Sequence, residues 1–367
     1  MYLNYKKYKV WEIIPTLGGG GAEKMVLDLS KGLTQNGFEV TLISLYDKKH
    51  AATNRLKFIR DNNIKVVFLS KKPGFDFRIL LKLYKMIKKN KPDIVHTHLA
   101  AFQYIVIIRW FLKFNHVHTM HSIVVNETKA YNFLLKIASL TCKTFFVVLS
   151  DKIGESLRNT YKTKSDFMIS IPNGVDRNAF KPINRKYEQG SVTFITVGSL
   201  IPVKNQCMLI NAFAHLQKIH NGIDKLYILG EGRLRDNLEK QINRLDLKDS
   251  VILFGNVGNV YDYLCKADVF VMTSHYEGVS LALLEAANTG LPIITTSTGN
   301  TPEVVKNDAI LIEDNDEKNL FYHMKRISDD LIYRREYAQK SINIAERFDK
   351  DKMVNSYAKL YVTLIDK

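Results

Sequence analysis

Short apolar runs rich in β-branched residues alternate with helix-compatible segments along almost the whole chain, and this alternation restricts the fold more than any other feature. Strand-like runs lie at 9–17, 38–45, 65–70, 93–97, 116–120 and 143–149. The polar stretch 177–190 interrupts them, and the pattern restarts at 192–197 and continues at 226–229, 251–254 and 267–273. Runs this uniformly apolar are buried on both faces, so they predict parallel sheets wrapped by helices. The restart predicts two similar α/β domains, over 1–180 and 186–349, with 177–190 as a linker. A chain of 367 residues is long enough for two cores.

The most informative stretch is 267–292. An apolar strand ends near Ser274, a loop carries Glu277-Gly278-Val279, and Ser280 stands as N-cap of a helix beginning at Leu281 and closed by Gly290 and Pro292. Glu277 then sits at the carboxyl end of a strand, and Glu285 sits two turns into an apolar helix. For Glu285 alone the ordinary role is a hydrogen bond within the core. Two carboxylates flanking a helix N-terminus suggest more. The free N–H groups and positive dipole end near Ser280 attract an anionic group, while the carboxylates accept from neutral hydroxyls. A sugar joined to a nucleotide through phosphate has both features.

Other candidates stand where strands give way to loops. Gly18 to Gly21 lie between a strand and the helix opening at Ala22, where backbone approaches a ligand closely. The dinucleotide pattern G-x-G-x-x-G fails there, since its sixth position is Glu23, and the P-loop ending G-K-[ST] is absent. Lys204, just past a strand end, is placed either to neutralise phosphate or to be solvated. His96 and His98, and His116 and His118, are period-two pairs that share a strand face. Such pairs raise a metal site, but no Cys or paired carboxylate joins them locally, so none is expected. His121 differs because it follows a strand's carboxyl end, where such sheets bind ligands. Asp314-Asn315-Asp316 matches a loose metal-binding D-x-D, yet it precedes a helix and reads better as an N-cap.

Charge is unevenly distributed. The net charge of +16 comes wholly from residues 1–180, which hold 29 Lys and Arg against 13 Asp and Glu. That half is expected to face something anionic: a membrane, a phosphorylated acceptor or nucleic acid. Nucleic acid is the weakest of the three because no recognition motif accompanies the charge. Arg78, Lys82, Lys85 and Lys89 form a stripe at helical spacing, and a helix read over 102–114 carries Trp110 and Phe111. Two readings stand, a solvated face over a core face, or interfacial contact with a membrane. The three cysteines, Cys142, Cys207 and Cys265, have no CxxC spacing, which fits a reducing compartment. The apolar run near the N-terminus is interrupted by Glu12, and no run reaches about 18 apolar residues, so neither export nor a transmembrane helix is expected.

Taken in order, the segments GGGGAE (18–23), PDIVHTHL (92–99), TMHS (119–122), IPNGVD (171–176), VGSLIPVKN (197–205), ILGEGRLRDNL (228–238) and HYEGVSLALLEAANTGLPII (275–294) resemble the landmarks of retaining glycosyltransferases of family 4. Glu277 and Glu285 fall on that family's E-x7-E motif. The resemblance implies a GT-B fold: two Rossmann-like domains facing across a cleft, with a last helix near 350–367 returning to the first. The second domain would bind the nucleotide-sugar donor and the first the acceptor, without cofactor or metal.

Carried over residue by residue, Glu277 would bind donor-sugar hydroxyls, Glu285 the ribose, and Lys204 the diphosphate. The Gly20-Gly21 loop would approach the diphosphate, and His121 would lie beside the sugar, making Glu277, His121 and Lys204 the catalytic candidates. Ser199, Glu231, Gly278, Val279, Ser280 and Leu281 complete the expected donor-binding set. Ser199 stands where many members have Arg, so Lys204 would carry more of the phosphate charge. The implied activity is retaining transfer of a hexosyl or N-acetylhexosaminyl group from a nucleotide-sugar, a UDP-sugar favoured with GDP-mannose the alternative, to a lipid-linked or surface-polysaccharide acceptor in bacterial capsule or lipopolysaccharide assembly. The implied location is cytoplasmic, peripheral on the inner face of the plasma membrane, with Arg78, Lys82, Lys85, Lys89, Trp110 and Phe111 toward an anionic surface. A nucleotide-sugar epimerase of related fold and a basic nucleic-acid-binding protein are the alternatives.

Overall fold

The computed structural model of the chain describes residues 8–121, 129–141, 143–183, 185 and 187–367. Ser122 of the TMHS segment, Cys142, the residue at which the second domain was expected to begin (Lys186), and the basic residues before Tyr8 lie outside them. The chain divides into two compact units, Met1–Asn173 with Lys350–Lys367, and Gly174–Asp349.

In the first unit the elements run β1 (Lys9–Ile14), α1 (Gly21–Gln35), β2 (Glu39–Ser44), α2 (Thr53–Asp61), β3 (Val66–Phe68), α3 (Phe77–Asn90), β4 (Ile94–His98), α4 (Phe102–Ile108), β5 (Asn115–Met120), α5 (Lys129–Thr141), β6 (Phe145–Val148), α6 (Asp151–Tyr161) and β7 (Met168–Ser170). Among the described residues the strands form one parallel sheet in the order β3-β2-β1-β4-β5-β6-β7. The second unit runs β8 (Thr193–Val197), α7 (Gln206–Ile219), β9 (Lys225–Leu229), α8 (Arg235–Arg244), β10 (Val251–Gly255), α9 (Val260–Lys266), β11 (Val269–Met272), α10 (Leu281–Asn288), β12 (Ile293–Thr296), α11 (Thr301–Val305), β13 (Ile310–Ile312), α12 (Glu317–Asp329) and α13 (Leu331–Arg347). Its sheet, also parallel, has the order β10-β9-β8-β11-β12-β13. Both orders reverse direction once, between β1 and β4 and between β8 and β11. Loops leaving the carboxyl ends of those strands diverge and leave a crevice, the usual ligand position in such sheets.

The last helix, α14 (Lys350–Ile365), belongs to the first unit and packs on α1. Its buried face is Met353, Val354, Tyr357, Ala358, Leu360 and Tyr361. Close approach is possible because position 32 of α1 is glycine: a Cβ there would lie 2.6 Å from a methyl of Val354.

Two sequence expectations are corrected. The helix read over 102–114 ends at Ile108. Beyond it the backbone tightens, with Trp110 N–H donating to Ile107 O and Phe111 N–H to Ile108 O, because Leu112 and Phe114 must turn inward to pack on the core. Trp110 and Phe111 therefore sit on a turn. The second correction concerns 177–190, whose polarity suggested a linker. Phe180 and Tyr187 are buried, and the Arg185 guanidinium donates to Leu264 O at 2.6 Å, Thr289 O at 2.5 Å and Ala267 O at 3.1 Å. A cation whose fork caps carbonyls at the ends of α9 and α10 straps this stretch onto the second unit.

The α1–α14 contact yields a stability prediction. An interior helical glycine normally disfavours the helix by about 1 kcal/mol relative to Ala, yet a larger residue at 32 must displace Val354. Gly32→Val is expected to destabilise the chain by about 1–3 kcal/mol, and pairing it with Val354→Ala should recover part of the loss. Thermal unfolding of the two single variants and the double variant checks this; a Gly32→Val melting temperature at or above that of the parent refutes the tight contact.

Candidate active site

The reversal point of the second sheet collects most of the residues singled out in the sequence. The loop after β8 carries Ser199, which is exposed, and Lys204. That loop is held by Thr273 Oγ1, which donates to Asn205 O at 2.9 Å, and by His275 N–H, which donates to Val203 O at 2.8 Å. The β8 and β11 loops are thus stitched together through backbone. Lys204 Nζ lies 2.5 Å from Glu277 Oε1, and Ser274 Oγ donates to the same oxygen at 2.7 Å. Glu277 is nearly buried while the Lys204 side chain keeps about a quarter of its surface exposed. The ammonium is therefore the accessible member of the pair. Ser280 caps α10 through a 3.4 Å bond from Leu283 N–H, as its sequence position required. Glu285 is buried in that helix, and Val279 and Leu281 are buried beside it.

Two glycines make these approaches possible. Gly299 has φ +55°, and a Cβ there would overlap the Glu277 carbonyl; Gly230 has φ +135°, and a Cβ there would overlap Gly198 O. The β9 loop also locks onto the β8 loop through Leu200 N–H to Glu231 O at 2.9 Å. The Glu231 side chain is held by Arg235. Asp316 caps α12 by accepting from Asn319 N–H at 3.0 Å. Asp314 does not cap; it accepts from His275 Nδ1 at 2.8 Å.

The first unit places Gly20, Gly21 and His121 at the carboxyl edge of its own sheet. Gly20 precedes α1, and a Cβ there would overlap the carboxylate of Glu23, which folds back over the turn. Burial raises the Glu23 carboxyl above its usual range, opposed by its own backbone N–H and by Arg55. His121 follows β5, and its Nε2 lies 3.1 Å from Nδ1 of His98 at the end of β4.

Comparison with known proteins bears on this arrangement. Residues 19–179 match the family described as Glycosyltransferase Family 4, and residues 176–344 match Glycosyl transferases group 1. Over 306 residues, covering 77% of this chain and 76% of the relative, the chain is 31% identical to the UDP-Gal:alpha-D-GlcNAc-diphosphoundecaprenol alpha-1,3-galactosyltransferase of Escherichia coli. The chain belongs to the family 4 glycosyltransferases. It is also 28% identical, over 96% of its length and 98% of the relative, to the N-acetylgalactosamine-N,N'-diacetylbacillosaminyl-diphospho-undecaprenol 4-alpha-N-acetylgalactosaminyltransferase of Campylobacter jejuni. The crystal structure of Anabaena Alr3699/HepE in complex with UDP-glucose superposes with a TM-score of 0.83 at 17% identity, covering 97% of this chain and 99% of that one. That likeness supports the GT-B fold.

The glycosyltransferase holds a polar network that local sequence reading missed. No carboxylate was seen beside the histidines, but the parallel pairing of β1 with β4 brings Glu12 to them. Its Oε2 lies 2.8 Å from His98 Nε2 and 2.8 Å from His96 Nδ1, and Tyr361 O–H donates to Oε1 at 2.9 Å. Three donor atoms of Glu12, His96 and His98 lie within 4.8 Å of one another, a spacing compatible with a metal ion. The nitrogens already have partners within the chain: His96 Nε2 meets Thr119 Oγ1 at 2.8 Å, and His98 Nδ1 meets His121. We therefore read the group as a hydrogen-bonded network. His116 and His118 are satisfied likewise, by Thr144, Thr97 and Tyr131. A charged residue inside an otherwise apolar parallel strand was the signal for Glu12, since such a group needs a buried partner.

The basic stripe is altered in one member. Arg78 is clamped on Asp76, the N-cap of α3, at 2.6 Å and 3.0 Å, and these bonds hold the Asp76 carboxyl well below the usual range. Lys82, Lys85 and Lys89 remain exposed on α3. Phe77 and Leu81 on α3, and Trp110 and Phe111 on the turn after α4, expose 71%, 60%, 57% and 73% of their surface, and Lys143 lies over the Trp110 ring.

Burial pushes the imidazoles of His98, His116, His118 and His121 below their ordinary value, His98 to about 4. A base whose folded pKa is lowered contributes stability that is full above its unfolded value near 6.5 and is lost as pH falls toward the folded value. Each such histidine forfeits about 1.4 kcal/mol per pH unit within that window. The melting temperature is therefore expected to fall between pH 7 and pH 5 with a slope of more than one proton. A flat profile over that range would contradict neutral burial of the ladder.

Proposed function

We propose that this glycosyltransferase moves a sugar from a UDP-sugar to a lipid-linked acceptor in surface-polysaccharide assembly, with retention at the anomeric carbon and without a metal. The observation that carries this reading is the Lys204–Glu277 pair at the reversal point of the second sheet, beside the capped start of α10. Support for the donor comes from the UDP-Gal in the name of the Escherichia coli relative and the UDP-glucose in the Anabaena complex. Support for the acceptor comes from the diphosphoundecaprenol-linked sugars named for the Escherichia coli and Campylobacter relatives.

In this reading the donor diphosphate replaces Glu277 as the partner of Lys204. The carboxylate is then free to accept hydrogen bonds from sugar hydroxyls, and Glu285 binds the ribose. Charge developing on the leaving diphosphate is stabilised by Lys204 and by N–H groups at the start of α10, fixed dipoles that need no reorganisation during the step. With Ser199 contributing no cation, Lys204 carries the larger share. The acceptor hydroxyl attacks from the face the diphosphate leaves, and a departing phosphate oxygen takes its proton. Residues of the first unit enter through the family resemblance: His121 beside the sugar, and Gly20-Gly21 near the diphosphate.

The lipid-linked acceptor implies a membrane surface. Among the described residues no helix is long and apolar enough to cross a membrane. Exposed Phe77 and Leu81 on α3 with Lys82, Lys85 and Lys89, together with exposed Trp110 and Phe111 on the turn after α4, have the chemistry of an interfacial surface, apolar groups for the acyl boundary and cations for anionic headgroups.

Glu277→Ala is expected to lower turnover by about 100-fold, the scale of one lost transition-state contact, while UDP still raises the melting temperature. Glu285→Ala should abolish most of that UDP-induced shift. Both measurements are made with EDTA present, in which the parent should retain activity and give a product with the donor's anomeric configuration by NMR. Parental activity in both variants, an inverted product, or activity that EDTA removes and manganese restores would each overturn the corresponding part of the reading.

For the surface, Lys82→Glu, Lys85→Glu and Lys89→Glu combined should release the protein from vesicles containing phosphatidylglycerol at low salt and slow transfer to a lipid-linked acceptor, leaving UDP binding intact. Adding Phe77→Ser and Phe111→Ser should remove the salt-resistant remainder. Unchanged co-sedimentation of the combined variant excludes this face.

A further inference from the structure

His121 is joined to a fully buried carboxylate through one intervening imidazole. Glu12 Oε2, His98 Nε2, His98 Nδ1 and His121 Nε2 form a continuous line with steps of 2.8 Å and 3.1 Å across β1, β4 and the end of β5. Glu12 and His98 are 0% exposed, whereas His121 is partly exposed. The line therefore runs from the protein interior to a surface at the carboxyl edge of the sheet.

The chemistry of each group sets the direction of every hydrogen bond. A carboxylate only accepts, so His98 must present Nε2–H to Glu12. A neutral imidazole protonated at Nε2 has its lone pair on Nδ1, and that lone pair must receive a proton from His121 Nε2. His121 is then itself the Nε2–H tautomer, with Nδ1 as an acceptor. We propose that Glu12 and His98 are positioning residues that hold His121 in this tautomer, so that its Nδ1 accepts a hydrogen bond from a hydroxyl of the bound sugar. The proposal rests on the reading that places His121 beside that sugar.

The surroundings support the direction. The groups facing Glu12 are His96 from β4 and Tyr361 from α14, with Thr119 of β5 and Tyr357 of α14 behind them. Tyr361 O–H donates to Glu12 Oε1 and its oxygen accepts from His96 Nδ1 at 2.6 Å, while His96 Nε2 receives from Thr119 and Thr119 in turn from Tyr357. His98 and Tyr361 donate to the carboxylate directly, and His96 reaches it through the Tyr361 hydroxyl. Burial alone would raise the Glu12 carboxyl, but the His96 and His98 rings hold it below the ordinary carboxylate range, and burial holds His98 below the ordinary imidazole range. Glu12 is thus anionic and His98 neutral across the working range, the protonation states the line requires. A side chain that fixes one nitrogen of a histidine fixes the role of the other.

Selective 15N labelling of the histidines in the full chain reads the tautomer directly. In the parent, His121 is expected to show a protonated Nε2 and an unprotonated Nδ1, single and sharp; a protonated Nδ1 overturns the proposal before any variant is made. Glu12→Gln keeps the shape but removes the charge that dictates direction, and His121 should become a mixture of tautomers. Its kcat should fall about 10- to 100-fold, the scale of one misdirected hydrogen bond, with the donor KM little changed. An unaltered His121 signature in folded Glu12→Gln refutes the role of the carboxylate.

Should Glu12→Gln fail to fold, the His98 pair decides. His98→Leu breaks the line, and His98→Gln can still accept from His121 while donating to Glu12, so it should recover at least about tenfold in kcat over His98→Leu. Equal kcat in the two variants refutes the line. If the parent shows no transfer from UDP-sugars while the tautomers behave as expected, the proposed substrate fails and the line stands.

Discussion

A carboxylate buried without water is tolerable only when every lone pair it presents is met, and the first unit is arranged around meeting those of Glu12. The donors come from two separate elements: the carboxylate on β1 accepts from His98 of β4 and from Tyr361, 349 positions away on α14, whose oxygen in turn meets His96. Removing the last helix would take away Tyr361 and the Tyr357 contact to Thr119 together. The return of α14 to the first unit is therefore a polar requirement as well as an apolar one, with Gly32 providing the space. The same network ends at His121, so the group that ties the unit together also contacts a candidate site residue.

The second unit satisfies its site carboxylate differently. Glu277 is not sealed in the core but paired with a partly exposed ammonium and a serine hydroxyl. In the proposed reading such a pair exchanges partners, a phosphate taking Lys204 and sugar hydroxyls taking Glu277. The backbone around it is not exchangeable: Gly230, Gly299 and the Thr273 bonds hold the three loops at separations that admit no Cβ. Rigid backbone with a displaceable ion pair suits the proposed binding of a nucleotide-sugar and release of its nucleotide.

Much of the candidate site was legible because it depends on local signals. Ser280 caps α10 and Asp316 caps α12 through their own short segments, and the ordered family landmarks identified the class. Trp110 and Phe111 were found, but the helix assigned to them ran too far, because the inward pull of Leu112 and Phe114 is a property of the core and not of helical periodicity. Arg78 belongs to the cationic stripe by spacing, and its pairing with Asp76 two residues away leaves the side chain 62% exposed.

By itself the sequence determined the alternation of buried strands and helices, the restart that makes two units, the caps, and the loops on which the candidate residues stand. These follow from side-chain periodicity and turn chemistry over a few residues. Strand order it could not state, and the decisive contacts depend on strand order. Lys204 and Glu277 are 73 positions apart and meet because β8 lies beside β11. Glu12 and His98, 86 apart, meet because β1 lies beside β4. Which side chain neutralises which is settled by adjacency in space, and in a parallel sheet adjacency is created by crossover helices that carry no record of it in their composition.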